Sequence, residues 1–176
     1  MGRMTIQQVI DVIMAAIPGA PLEDTVDTCK AGDPTRPVSG IVTTFLATCR
    51  VIERAAALRA NLIITHEPTF YNHRDEVEWL QGDPVYQAKR GLLDDNGIVL
   101  CLSNHHWHRH RPDGILTGVV RALGWEEYAA ADKPNLFGIP AMSVLHLVAI
   151  LKERLDIDMV RLVGDPDMIC RRVALL

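Results

Sequence analysis

Apolar residues recur at helical spacing near the N-terminus. Ile6, Val9, Ile10, Ile13 and Ile17 share one face, Thr5 is placed to cap the helix, and Pro18-Gly19 ends it. Residues 19–37 carry Gly32-Asp33-Pro34 and Pro37 and read as loop. Val38 to Leu46 is β-rich and predicts a strand, and residues 48–60, with Arg, Glu and many Ala, predict a helix. Asn61-Leu62-Ile63-Ile64-Thr65 is apolar without alternation, as in a parallel strand buried on both faces. It ends at His66-Glu67-Pro68, and the polar and aromatic residues 68–82 predict a long loop. Asp83-Pro84 reads as an N-cap followed by proline at the first helical position, with Gly97 closing that helix after Asn96. Ile98 to Leu102 is a second buried-strand run and leads into Asn104-His105-His106-Trp107-His108-Arg109-His110. Pro112 opens a helix that ends near Leu123-Gly124.

A second unit follows. It predicts a short strand at Leu136 to Ile139, a helix over 142–155, a strand at Met159 to Val163 and the start of another at Val173. Strands alternating with helices of this length predict an α/β fold, a layered sheet with helices on both faces. The expected division is an N-terminal α/β metal-binding domain over 1–131 and an incomplete second α/β unit over 132–176. Arg172 to Leu176 reads as a buried strand cut off at its end, so the chain is expected to be truncated at its C-terminus.

Composition narrows the class. With 176 residues, 48% of them hydrophobic, the chain is long and apolar enough to build a core, which excludes disorder as its dominant state. A net charge of −4 argues against a dedicated nucleic-acid partner. Cysteines 29, 49, 101 and 170 form no C-x-x-C pair, which excludes a zinc ribbon, and they read as reduced thiols of a cytoplasmic protein. No apolar run reaches the ~18 residues that span a bilayer, so no membrane partner is expected. The N-terminus has no signal-peptide pattern, and Met1-Gly2 opens like a myristoylation signal but finds Ile6 where Ser or Thr is required.

The candidate chemistry lies at the two strand ends. Four of seven histidines, His105, His106, His108 and His110, fall within six residues, and His66-Glu67 follows the neighbouring strand. Ligands of open α/β sheets bind beyond the carboxyl ends of the strands, so both groups are expected on one rim. In extended backbone His106, His108 and His110 share a face and His105 points away. Imidazole and carboxylate together suit Zn, Mn, Fe, Co or Ni. A solvated His-rich loop and a hydrogen-bonded structural cluster are the competing readings. Glu67 reads as a ligand or general base, or as a group that holds His66 in one tautomer. Cys101 near the cluster raises a Cys–His nucleophile, but no G-x-C-x-G elbow and no third member accompany it. Asp75, Glu76, His73 and Arg74 read as a solvated charged loop, His146 as half-buried helix structure, and Asp113 as a helix-start residue.

These residues also carry a likeness. Ile63-Ile64-Thr65-His66-Glu67-Pro68 with Phe70 resembles the apolar strand, Thr-His-His-Pro and following Phe of the NIF-three-like dinuclear metal centre family, also labelled GTP cyclohydrolase I type 2 homologues. Ala31-Gly32-Asp33-Pro34 is similar to that family's Val-Gly-Asp-Pro. Ile98 to Leu102, the His cluster, Asp113-Gly114-Ile115 and Leu123-Gly124 match its strand, His-Thr-Asn-Leu-Asp, Gly-Gly helix start and Leu-Gly end. Val160 to Asp165 resembles the opening of its second half, so the likeness spans about residues 25–175. It implies an α/β fold, a homo-oligomer of hexameric, toroidal form and two divalent metals per complete site. Glu67 stands for the second His of the pair, and His108, with one residue of slip, for the Asp ligand. The family's last ligands, a His and a Glu, belong to a C-terminal segment beyond this chain, so half a site is expected.

The resulting expectation is a metal-dependent hydrolase of unknown small-molecule substrate. Its expected metal residues are His66, Glu67, His106 and His108, with Glu67 also the catalytic candidate. The alternative is a non-catalytic metal-binding scaffold or regulator.

Overall fold

A computed structural model describes residues 3–176; Met1 and Gly2, where the lipidation signal was sought, lie outside the described residues. The chain forms two compact units, one ending at His110 and one running from Arg111 to Leu176.

The first unit holds α1 (Ile6–Ala15), β1 (Cys29–Ala31), β2 (Ile41–Thr44), α2 (Cys49–Ala57), β3 (Leu62–Thr65), α3 (Pro84–Asp95) and β4 (Val99–Leu102). Helix starts follow the sequence signals. The Thr5 hydroxyl accepts the Gln8 amide while the Gln8 side chain accepts that of Thr5, a reciprocal capping box. Asp83 caps α3 through the Tyr86 amide, with Pro84 at the first turn. The strand order is β1-β4-β3-β2; β2, β3 and β4 run parallel and β1 is antiparallel to β4.

Both faces of this sheet are covered, which explains the unbroken apolar runs. On one face Ile63 and Leu100 pack with Ile52 and Ala55 of α2 and Leu93 of α3. On the other, Leu62, Val99 and Cys101 pack with Ile6, Val9 and Ile10 of α1. Helices therefore flank the sheet on both sides, as the alternation of elements predicts.

β1 was hidden inside an expected loop. Gly32 just after it has φ +80°, and a Cβ there would stand 2.8 Å from the Ile98 carbonyl oxygen and from Val99 Cα. Only glycine lets the chain pass this close to β4. The register pairs Cys29 with Cys101, and the two form a disulfide with Cα atoms 3.8 Å apart. This corrects the expectation of reduced thiols for that pair: 72 positions separate them in sequence and the pairing of β1 with β4 brings them together. It also closes the Cys–His nucleophile reading, since Cys101 carries no thiol. Cys49 and Cys170 are free.

The second unit holds α4 (Gly114–Leu123), β5 (Ala129–Ala130), β6 (Lys133–Ser143), α5 (Val144–Leu155) and β7 (Ile169–Ala174). Its antiparallel sheet, in the order β5-β6-β7, shares one core with both helices: Phe137 and Ile139 of β6, Leu147 of α5, and Leu123 and Trp125 at the end of α4. That shared core puts the boundary between units at 110/111, whereas the sequence suggests 131/132. The expected strand at 159–163 is absent; Met159 and Val163 are exposed, and the chain runs without regular structure to β7. β6 is in turn much longer than the expected 136–139. No helix among the described residues is long and apolar enough to cross a membrane.

Candidate metal centre

β3 and β4 are parallel neighbours, with Thr65 opposite Leu102. Their carboxyl ends release His66-Glu67 and the His-rich loop on the same rim. Backbone pairing continues past the strands: His66 donates to the Thr44 carbonyl, Glu67 to that of Phe45, and Ser103 to that of Thr65. The buried Thr65 hydroxyl donates to the carbonyls of Phe45 and Glu67. The segment that presents His66 is thus fixed by its own main chain.

The His-rich loop is fixed by Asp27, which sequence reasoning missed. Oδ1 of this buried carboxylate accepts the amides of Asn104 and His105 at 2.8 and 3.1 Å, and Oδ2 accepts that of His106 at 2.8 Å. Oδ2 also lies 2.7 Å from His106 Nδ1. Burial pushes the Asp27 carboxyl up, but these donors outweigh it and hold its pKa below the usual 3.8. The only sequence signal was an acidic residue in a loop, without a spacing to tie it to position 106.

His106 is turned inward, with 1% of its side chain exposed. Its Nε2 accepts the Leu22 amide at 3.2 Å, which leaves the proton on Nδ1 for Asp27. Both ring nitrogens are engaged, so His106 holds the loop in place and offers no lone pair to a metal. The loop is not extended as expected; residues Trp107–Arg109 form a 3-10 turn. The cluster therefore splits, with His106 buried and His105 and His108 paired with different partners.

His66 and His108 meet, with their Nε2 atoms 3.2 Å apart and their rings edge to face. Two imidazole nitrogens on one tetrahedral zinc, each at about 2.05 Å, stand roughly 3.3 Å apart. His66 is 13% exposed and stacks on Phe45 at 5.1 Å between centroids. Its Nδ1 lies 3.2 Å from Glu67 Oε1, and the Asn104 amide donates to its carbonyl. With the proton on Nδ1, Glu67 holds the ring in the tautomer that turns the Nε2 lone pair toward His108. Among the described residues no group of three or more His, Cys, Asp or Glu side chains is set to hold a metal ion.

The second pair is His73 with His105, Nε2 to Nε2 at 2.9 Å. The loop that carries His73 is more ordered than a solvated charged segment. Asp75, almost fully buried at φ +54°, accepts the amides of Thr69, Phe70 and Tyr71 at 2.7, 2.7 and 3.0 Å. Lys89 of α3 donates to the Thr69 carbonyl, and burial pulls its ammonium pKa down. His146 lies exposed on α5 in the second unit, not half-buried as expected, and Asp113 caps α4 through the amides of Ile115 and Leu116.

A family model described as Duf34/NIF3 (NGG1p interacting factor 3) matches residues 4–176. No curated protein matches the chain. Among solved structures, the chain resembles the Staphylococcus aureus hypothetical protein SA1388, with a TM-score of 0.76, 17% identity and coverage of 98% of this chain and 71% of that one. It resembles the Bacillus cereus protein related to NIF3, with a TM-score of 0.78, 14% identity and coverage of 99% and 76%. It also resembles the protein YbgI, of unknown function, with a TM-score of 0.66, 19% identity and coverage of 97% and 68%. At these identities the likeness is one of fold.

Proposed function

The chain belongs to the Duf34/NIF3 family, and from that premise we propose that it binds divalent transition-metal ions at His66 and His108 and serves as a metal-dependent hydrolase of a small-molecule substrate. The observation that carries this reading is the facing pair of Nε2 atoms at the ends of two adjacent parallel strands. The donor set fits, since two imidazoles at this separation match the spacing of ligands around one ion. A bound ion would supply polarisation of a substrate oxygen and a lowered pKa for water.

The chain's own groups do the rest. His66 and His108 bind. Glu67 fixes the tautomer of His66 and, with 37% of its side chain exposed, stays within reach of solvent to take a proton. Phe45 covers one face of His66 and excludes water from it. Asp27 and His106 keep the loop that carries His108 from rearranging when a ligand leaves.

A homo-oligomer, the hexamer implied by the resemblance, and a complete site for two metals belong to the same proposal, as does a cytoplasmic setting.

The test is metal content by elemental analysis, together with a panel of phosphate esters and cyclic nucleotides assayed with added Mn or Zn. His66→Ala is expected to lose both metal and turnover. Metal and turnover unchanged in that variant would overturn the reading. A second reading, a non-catalytic metal-binding scaffold, is favoured by the exposed Phe45, Leu46, Tyr71 and Trp79, which suit burial against another copy. Metal binding without turnover on any substrate of the panel would put that reading ahead.

A further inference from the structure

We propose that His73 and His105 form a second transition-metal site, distinct from the His66–His108 pair, for a divalent ion such as Cu(II) or Ni(II) that prefers imidazole and right-angled ligands. The two rings come from different loops and point the same ring atom at each other, Nε2 to Nε2 at 2.9 Å, with centroids 5.0 Å apart and planes tilted by 41°. Two nitrogens each about 2.1 Å from one ion and at a right angle to each other stand roughly 3.0 Å apart.

Both loops are built before any ion arrives. The His73 loop is wound round the Asp75 carboxylate, and its turn is closed by the Asp75 amide on the Asn72 carbonyl. Asn72 and Glu76 bond each other twice, Nδ2 to Oε2 at 2.7 Å and the Glu76 amide to Oδ1 at 3.1 Å. The His105 loop is wound round Asp27 in the same manner. Each anchor is a buried carboxylate, so binding would order no backbone, and the entropy cost of assembling the site is already met in folding.

The surroundings suit an open site. His73 is exposed and His105 partly so. Glu23 and Asp24 line the same cleft as His105, His108 and Arg109, and Asp24 reaches Arg74, next to His73, at 3.6 Å. Two protein ligands leave the other positions to water or to a substrate oxygen. Affinity is therefore below that of a closed four-ligand site, and copper and nickel stand high in the affinity order for nitrogen ligands. A hydrogen bond between the two rings, with one Nε2 protonated, is the competing account of the same distance.

The experiment is equilibrium dialysis with Ni(II) and with Cu(II) on the wild-type chain and on His73→Ala, His105→Ala and His66→Ala. Circular dichroism checks the fold of each variant. His73→Ala and His105→Ala are each expected to lose one equivalent of metal, or at least tenfold in its affinity, and to keep the equivalent that His66→Ala loses. In the His66→Ala background, electron paramagnetic resonance of the Cu(II) form is expected to show coupling to two imidazole nitrogens, reduced to one by His73→Ala. Unchanged stoichiometry and an unchanged nitrogen count in the His73 and His105 variants would overturn the proposal and leave the ring–ring hydrogen bond. Because the two pairs share no residue, loss at one pair without loss at the other tells which of the two readings fails.

Discussion

Asp27 Oδ2 stands 2.7 Å from His106 Nδ1, and the same carboxylate gathers the amides of residues 104, 105 and 106. A single anion therefore sets the backbone of the loop that delivers His105 and His108. Asp27→Asn keeps the shape and removes the charge, turning an amide group toward amide donors. It is expected to cost about 2 kcal/mol of stability, as a hydrogen-bond hub on a charged group is weakened. Urea unfolding followed by tryptophan fluorescence reads this directly.

His106 supports the loop and does not ligate. His106→Ala opens a cavity and leaves the Asp27 carboxylate and the Leu22 amide without their ring partner. The expected loss is about 3 kcal/mol. Metal stoichiometry is expected to stay at the wild-type value under folding conditions, in contrast to His66→Ala. Elemental analysis of the two variants side by side separates the roles.

The lowered pKa of Asp27 fixes the sign of an acid effect. The folded form binds this proton less readily than the unfolded form. Its stabilisation is full above the ordinary carboxylate value of 3.8 and is lost as pH falls through that value toward the folded one. Unfolding free energy is expected to decline below about pH 5 in the wild type and more shallowly in Asp27→Asn. Denaturant titrations at a series of pH values compare the slopes.

In the proposed metal reading, Glu67 would act on the ion through His66. Glu67→Gln, which still accepts a hydrogen bond but carries no charge, is expected to weaken metal affinity about tenfold, within the range for groups behind a ligating imidazole. Competition with a chromophoric chelator measures it.

Gly32→Ala is expected to destabilise the first unit by about 2–3 kcal/mol. The new methyl would strike the Ile98 carbonyl at 2.8 Å, and the backbone there sits at positive φ. Thermal unfolding of the variant is the check.

Local signals were the legible part of this chain. The Thr5 cap, the Asp83-Pro84 helix start and the apolar runs of β3 and β4 each depend on residues a few positions apart, and each stands where the sequence puts it. The shared rim for His66 and the His cluster followed from two adjacent parallel strands. Three residues long, β1 exists because it pairs with β4 across the sheet, and such a pairing leaves no local periodicity. The inward turn of His106 depends on Asp27, 79 positions earlier, and the meeting of His73 with His105 depends on two separate turns. Extended backbone was the wrong premise for the His cluster: His106 stands just before a 3-10 turn and His108 within it, and their rings go to different neighbours.

The Cys29–Cys101 bond makes a covalent ring of the chain between those positions. His66, Glu67 and His73 lie inside the ring, while His105 and His108 lie on the tail that leaves it. A protease that cuts the loop over residues 68–82 would open the ring without releasing a fragment. The nicked protein would keep its mass in a non-reducing gel and part into two pieces only when a thiol is added. Each histidine pair joins a ring residue to a tail residue, so such a nicked chain would still hold both halves of each pair on one connected molecule.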